Sequence, residues 1–271
     1  MAKAHWRADG EPQLVLLHGA GLGRASWDAV VERIPGFVRA LALDLPGHNG
    51  VPGVAYDHEV VPRIAEYVAE RLHALGIHRP HVVGHALGGA VALELARRVP
   101  VAAVTALCSA GFRAAGQASV CVAKTRAMLR VVSAFAPRTR ARLLAKPWVR
   151  RLVLGNLSAR PSALTTAVAD VAAMVGSDLR ALVRYAGRYR FRASEVDDTT
   201  PVNLVWAAQD QVVPPSDAVR ARRVLPAARH LVVPDSGHLV MRDDPDATAA
   251  VIHACHLRLL RGKPRHTAGP A

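Results

Sequence analysis

Gly84-His85-Ala86-Leu87-Gly88 is the segment of this chain whose residue types and spacing come nearest to chemistry. It follows the apolar run His81-Val82-Val83 and precedes an Ala-rich stretch from Gly89 to Arg98. Between a strand and a helix, Gly-x-Ser-x-Gly forms a sharp turn that lifts its central side chain into a cleft. Glycine is required at 84 and 88 because a Cβ there would meet neighbouring backbone. A serine at the centre would be a nucleophile for acyl transfer. This chain has Ala86 instead, which has no nucleophilic atom. Leu87, the next residue, would offer its backbone N–H to a developing oxyanion. Three more loops follow apolar runs and carry groups of interest. They are His18-Gly19-Ala20-Gly21, Gln209-Asp210-Gln211-Val212-Val213-Pro214 and Pro234-Asp235-Ser236-Gly237-His238-Leu239.

The elements that must position these loops alternate in type. Strands are predicted at Leu14–Leu17, Phe37–Leu43, His81–Val83, Val101–Leu107, Pro201–Trp206 and His230–Val233. Between them come helices: one capped by Ser26 and running to about Arg33, one over Asp57–Leu75 ending at Gly76, and one from Gly89 to Arg98. Further helices are predicted at Pro215–Val224 and Asp246–Leu260. This order predicts an α/β fold, a mostly parallel sheet with helices on both faces. Residues 113–195 break the alternation. They read as helices over Ser119–Phe135, Thr139–Leu154, Pro161–Met174 and Ser177–Tyr189, a helical cap on the carboxyl edge of the sheet. The core is then 1–112 and 196–271. Leu129, Phe135, Leu143, Leu144, Trp148, Leu152, Met174, Leu182 and Tyr185 are candidates for the inner face of that cap or for packing between its helices.

The four loops together resemble the α/β-hydrolase superfamily, over residues 12–111 and 198–260. The resemblance is to helical-capped single-chain serine hydrolases: esterases, lactonases, carbon–carbon bond hydrolases and thioesterases. It implies that position 86 is the nucleophile position, Asp210 the acid and His238 the general base. It places the oxyanion-hole donors at Ala20 and Leu87, with His18 holding the loop and Gly19 and Gly21 permitting its path. His85 beside the elbow would line or tune the pocket. Asp44-Leu45-Pro46-Gly47-His48 resembles a structural signature of the family, although Asn49-Gly50-Val51 replaces its usual Gly-x-Ser continuation. No cofactor is implied, and no histidine cluster has metal-ligand spacing.

The formal charge of +14 is unevenly spread. Residues 113–192 hold 16 Lys/Arg against Asp170 and Asp178, and the remainder is balanced. An acidic acyl-carrier protein, a coenzyme A thioester or a small anionic acid would be drawn to such a segment; a solvated helical surface is the alternative. Arg138, Arg140, Arg142, Arg150 and Arg151 are its candidate contacts. No aromatic stacking groups accompany the basic residues, so nucleic acid is not expected. No apolar run reaches the length of a membrane span. Met1-Ala2-Lys3-Ala4-His5-Trp6 has no apolar signal region, and Cys108, Cys121 and Cys255 form no disulfide framework, so the cytoplasm is expected.

Three readings of Ala86 compete. A deliberate serine-to-alanine change would leave acid and histidine intact while holding an uncleaved acyl substrate, and it is the reading we favour. Natural loss of the nucleophile is the second. The third is a natural non-covalent enzyme or hydrolase-like ligand-binding protein. The expected parent activity is acyl transfer on an ester, lactone or thioester. A thioesterase or cyclase acting on a carrier-bound chain is the alternative, and an aspartate parent nucleophile also remains open.

Overall fold

A computed structural model describes residues 5–6, 14–114, 134–164, 177–192 and 199–262, with isolated positions at 123, 127 and 131. Among the described residues seven strands form one sheet: β1 (His5–Trp6), β2 (Leu14–Leu17), β3 (Ala40–Leu43), β4 (His81–His85), β5 (Ala103–Leu107), β6 (Val202–Ala207) and β7 (Arg229–Val233). Their order across the sheet is β1-β3-β2-β4-β5-β6-β7. All pairings are parallel except β1 with β3.

The period of two along each strand divides the core. Val15, Leu17, Val82 and Leu204 pack on one face with α2 (Val60–Ala74) and α3 (Leu87–Ala96). Leu14, Leu16, Val83 and Val205 pack on the other. There they meet α1 (Asp28–Val31), α8 (Val240–Asp243) and α9 (Pro245–Gly262). Both faces are covered, which is why the central strands read as unbroken apolar runs.

The segment between β5 and β6 holds α4 (Pro137–Leu144), α5 (Pro147–Leu154), a 3-10 turn (Pro161–Ala163) and α6 (Ser177–Ala186). Leu144, Val149, Leu154 and Leu157 cluster with Leu22 and Leu239, on the loops that leave the carboxyl ends of β2 and β7. The helix α7 (Pro215–Val224) follows β6.

Several expectations need correction. The helix expected over Thr139–Leu154 is two helices, because Pro147 cannot donate the N–H that would continue the first and instead opens the second. The third strand starts at Ala40, and Phe37 is exposed. Ser26 does not cap the helix: it lies inside a 3-10 turn (Arg24–Trp27), with its hydroxyl buried and without a hydrogen-bond partner among the described residues. Trp148 and Leu152 face solvent, 64% and 77% exposed, so they do not line an inner face. Most of the expected helices Ser119–Phe135 and Pro161–Met174, with Leu129, Met174 and Cys121, lie outside the described residues. Cys108 and Cys255 are buried free thiols, as expected. Among the described residues, no helix is long and apolar enough to cross a membrane.

Candidate active site

The turn at 84–88 is built by close backbone approach. A Cβ on Gly84 would lie 2.0 Å from the Gly88 carbonyl oxygen, and one on Gly88 would lie 2.3 Å from that of Leu17. Only glycine fits either place. Ala86 sits between them at φ 50°, ψ −105°, a region L-residues rarely occupy. Its backbone is held from both ends: its N–H donates to Leu107, and its carbonyl accepts from Ala90 and Ala110. Leu87 opens α3, so its N–H is one of the donors that a helix start leaves without an intrahelical acceptor.

His238 and Asp210 are brought together from loops after β7 and β6. The His238 Nδ1 lies 2.9 Å from Asp210 Oδ2, and both residues are buried. The other carboxylate oxygen accepts the N–H groups of Val212 and Val213 at 2.7 and 2.9 Å. Burial alone would raise this carboxyl; His238 and the two N–H bonds outweigh it and hold it below the usual carboxylate range. The Asp210 carboxyl is therefore ionised, and its orientation is fixed by backbone as well as by the imidazole.

His18 and His48 hold the loop after β2. The His18 Nε2 accepts the Leu45 N–H, so its Nδ1 carries the proton and donates to the Gly19 carbonyl. Burial, then the neighbouring His48, pushes its pKa to about 3, and the ring stays neutral. His18 thus bonds both the loop after β2 and the segment after β3. Gly21, at φ 76°, donates its N–H to His48 Nε2. Gly19 is needed for space: a Cβ there would lie 2.6 Å from His85 Nδ1.

His85 joins elbow and histidine loop. Its Nε2 donates to the His238 carbonyl at 2.8 Å, which leaves Nδ1 as a lone pair. Burial and the adjacent His238 push its pKa to about 3.

Sequence reasoning missed His48 as a tether and Asp243 as a hub. Asp243 accepts hydrogen bonds from the Gly237 and Ala159 N–H groups and from the Ser158 hydroxyl. It therefore ties the histidine loop to the segment between β5 and β6. The partners are far apart in sequence: His48 ends the Asp44–His48 signature, but its bond to Gly21 leaves no mark there, and no local pattern marks Asp243.

Gly19, Ala20, His85, Ala86, Leu87 and His238 all line one cavity of about 160 Å³. Asp210, His18 and Gly21 are not part of this lining; Asp210 reaches the cavity through His238. Much of the remaining wall is apolar, with Leu22, Leu157, Leu179 and Val183. Cys108, Asp210 and His238 could each offer a metal one ligand atom within 4.8 Å of the others. Asp210 already bonds His238 through one oxygen and two N–H groups through the other, so an ion would have to displace this pairing.

A family model described as "Alpha/beta hydrolase family" matches residues 14–251. The chain belongs to the alpha/beta hydrolase family. Among its curated relatives is the pimeloyl-[acyl-carrier protein] methyl ester esterase of Aromatoleum aromaticum. It is 29% identical over 256 residues, covering 89% of this chain and 96% of the relative. A second is the dihydrolipoyllysine-residue acetyltransferase component of the acetoin cleaving system of Pseudomonas putida, 29% identical over 244 residues. That match covers 87% of this chain, which spans 60% of that relative's length. A solved 2-hydroxy-6-oxo-6-phenylhexa-2,4-dienoate hydrolase from Rhodococcus superposes with a TM-score of 0.73 at 18% identity, covering 92% of this chain and 91% of that one. At that identity the likeness establishes the alpha/beta hydrolase fold alone.

Proposed function

We propose that this chain has the machinery of a serine-type acyl-transfer hydrolase with alanine at the nucleophile position. One observation carries the reading: an ionised Asp210 paired to His238 stands beside a strained elbow that presents Ala86 to the same cavity. With serine at 86, His238 would take its proton as the hydroxyl attacks an ester, lactone or thioester carbonyl. The Ala20 and Leu87 N–H groups would hold the oxyanion. His238 would then protonate the leaving group, and water or an internal hydroxyl or amine would resolve the acyl-enzyme. The alanine form binds substrate without forming that intermediate. An introduced serine-to-alanine change accounts for intact acid, base and elbow strain around an inert side chain. Residues 113–195 act as the cap, with Leu157 meeting Leu239 of the core at the cavity wall.

The test is Ala86→Ser, assayed beside the parent on acyl esters, lactones and thioesters, with intact-mass detection of an adduct at position 86. Turnover and adduct only in the serine form support the reading. A folded serine form that turns over nothing favours a non-covalent enzyme or a ligand-binding protein.

A carrier-linked substrate is the second reading, favoured by one surface. Arg138, Arg142 and Arg151 are exposed, and residues 134–164 contain no acidic residue. The relative named above acts, by its name, on a carrier-bound ester. Neutralising these three arginines in the serine form should slow turnover of a carrier-linked ester several-fold at low salt and leave the free ester unaffected. Equal rates on the carrier-linked ester, before and after, rule this reading out.

A further inference from the structure

One part of the cavity wall is charged. Arg113, Arg190 and Asp217 all line it, alongside Ala110, Gly111 and Ala186. Asp217 is held by Arg113, whose Nη2 lies 3.5 Å from Oδ2, and the ion pair is largely buried. Arg190 and Arg220 also act on Asp217 electrostatically. Three guanidinium groups therefore share one carboxylate. The surplus is positive.

The three arginines are fixed in place. Arg113 Nη2 donates to the Val212 carbonyl. Arg220 Nε donates to the Phe112 carbonyl at 3.0 Å. Arg190 donates to the carbonyls of Tyr189 and Ala114 at 2.8 and 3.1 Å, and more weakly to Gly187. These neutral acceptors orient the guanidiniums but cancel none of their charge. Burial and the facing Arg113 and Arg220 all disfavour the charge on Arg190, while only Asp217 supports it. Its Nε is buried without a hydrogen-bond partner among the described residues, as is Asp217 Oδ1. A partly buried cation whose nearest charged neighbours are mostly cations gains from a bound anion.

We propose that Arg190, with Arg113, forms an anion subsite of this cavity, so that the preferred acyl substrate carries a carboxylate on its chain in addition to the carbonyl presented to position 86. This rests on the acyl-transfer reading above and adds the substrate class to it: half-esters of short dicarboxylic acids over neutral esters of equal length. The apolar wall between holds the methylene chain, and the guanidiniums replace the water that a buried carboxylate gives up.

Because Ala86 permits no covalent turnover, binding is measured on the chain as it stands. Titration calorimetry compares a monomethyl dicarboxylate series with methyl alkanoates of matched length. The expected result is at least ten-fold tighter binding of the charged series at one chain length. Arg190→Gln should remove that advantage and leave the neutral ester's affinity unchanged, whereas Arg190→Lys should keep part of it. Circular dichroism and thermal melting establish that each variant is folded. If Arg190→Gln does not fold, Arg113→Gln takes the same comparison. Equal affinity for charged and neutral esters, no measurable binding of either, or an advantage that survives both substitutions would overturn the proposal. The outcome is separable from that of the acyl-transfer reading. Ala86→Ser without turnover, together with anion preference in the parent, would sink the chemistry and leave the subsite standing.

Discussion

At the scale of single residues, Ala86 is the informative one. A backbone at φ 50°, ψ −105° lies close to a conformation that turns normally assign to glycine. Holding alanine there costs about 1–3 kcal/mol, and the structure retains that cost although the side chain does no chemistry. Ala86→Gly should therefore raise stability by about 1 kcal/mol after the greater flexibility of glycine in the unfolded chain is subtracted. Thermal melting would show it as a rise of about 2–4 °C; a fall would mean that the elbow is not strained at this residue. The acid makes a second prediction. Asp210→Asn in the serine form should lower kcat by about 10⁴-fold, because an amide favours the wrong imidazole tautomer. The Val212 and Val213 N–H bonds can still be accepted by the amide oxygen, so the fold should survive. A loss of ten-fold or less would remove Asp210 from the mechanism.

At the scale of elements, legibility follows the range of the interaction. The elbow was readable because Gly84 and Gly88 answer to clashes within a few residues or with the adjoining strand, and so leave a short pattern. The helix α7 was readable to its ends from proline and periodicity. The Asp243 hub was not: Ser158 is 85 residues away, and nothing near either position announces the contact. The arginines between β5 and β6 show the same limit. Five looked alike as surface cations, yet Arg140 and Arg150 are buried. Arg150 donates to the carbonyls of Leu144 and Ala145 at the end of α4 and to Ser162 beyond α5. It closes the C-terminus of one helix from the body of the next, using a fork of donors that counting charges cannot reveal. Arg150→Ala should cost about 2–3 kcal/mol, since it strands several carbonyls. Arg151→Ala, one residue along and exposed, should cost under about 0.5 kcal/mol. Denaturant titration of the pair decides this, and equal effects would deny Arg150 its capping role.

At the scale of the whole molecule, the net positive charge is spent in different ways. Some arginines satisfy carbonyls, some face water, and Arg113 and Arg190 face the cavity. The histidines are spent differently again, as neutral packing. His18, His81 and His85 are buried, and burial is the largest cause that lowers each from 6.5 to about 3. His81 stacks on His256 with ring planes 2° apart and meets Thr105 through Nε2 at 2.8 Å. The direction of the pH effect follows from these shifts. Above about pH 6.5 the rings are neutral in both folded and unfolded chains, and stability is full. As pH falls from 6.5 toward 3, only the unfolded chain takes up protons, so each histidine withdraws about 1.4 kcal/mol per pH unit and the three together about 4. Asp210 adds a loss only at lower pH, because its folded carboxyl is depressed and its contribution goes as pH falls through the carboxylate range. Asp217 acts in the opposite sense, since burial raises its carboxyl and protonation relieves it. A domain stable by about 5–15 kcal/mol at neutral pH should then unfold between about pH 5 and 3. Denaturant titrations at pH 7.5, 6 and 5 should show stability holding above 6.5 and dropping steeply below. His81→Gln, which cannot ionise, should reduce the slope even if it lowers stability throughout. An unchanged slope in that variant, or a flat profile from pH 7 to 5, would mean that these rings do not stay neutral in the fold.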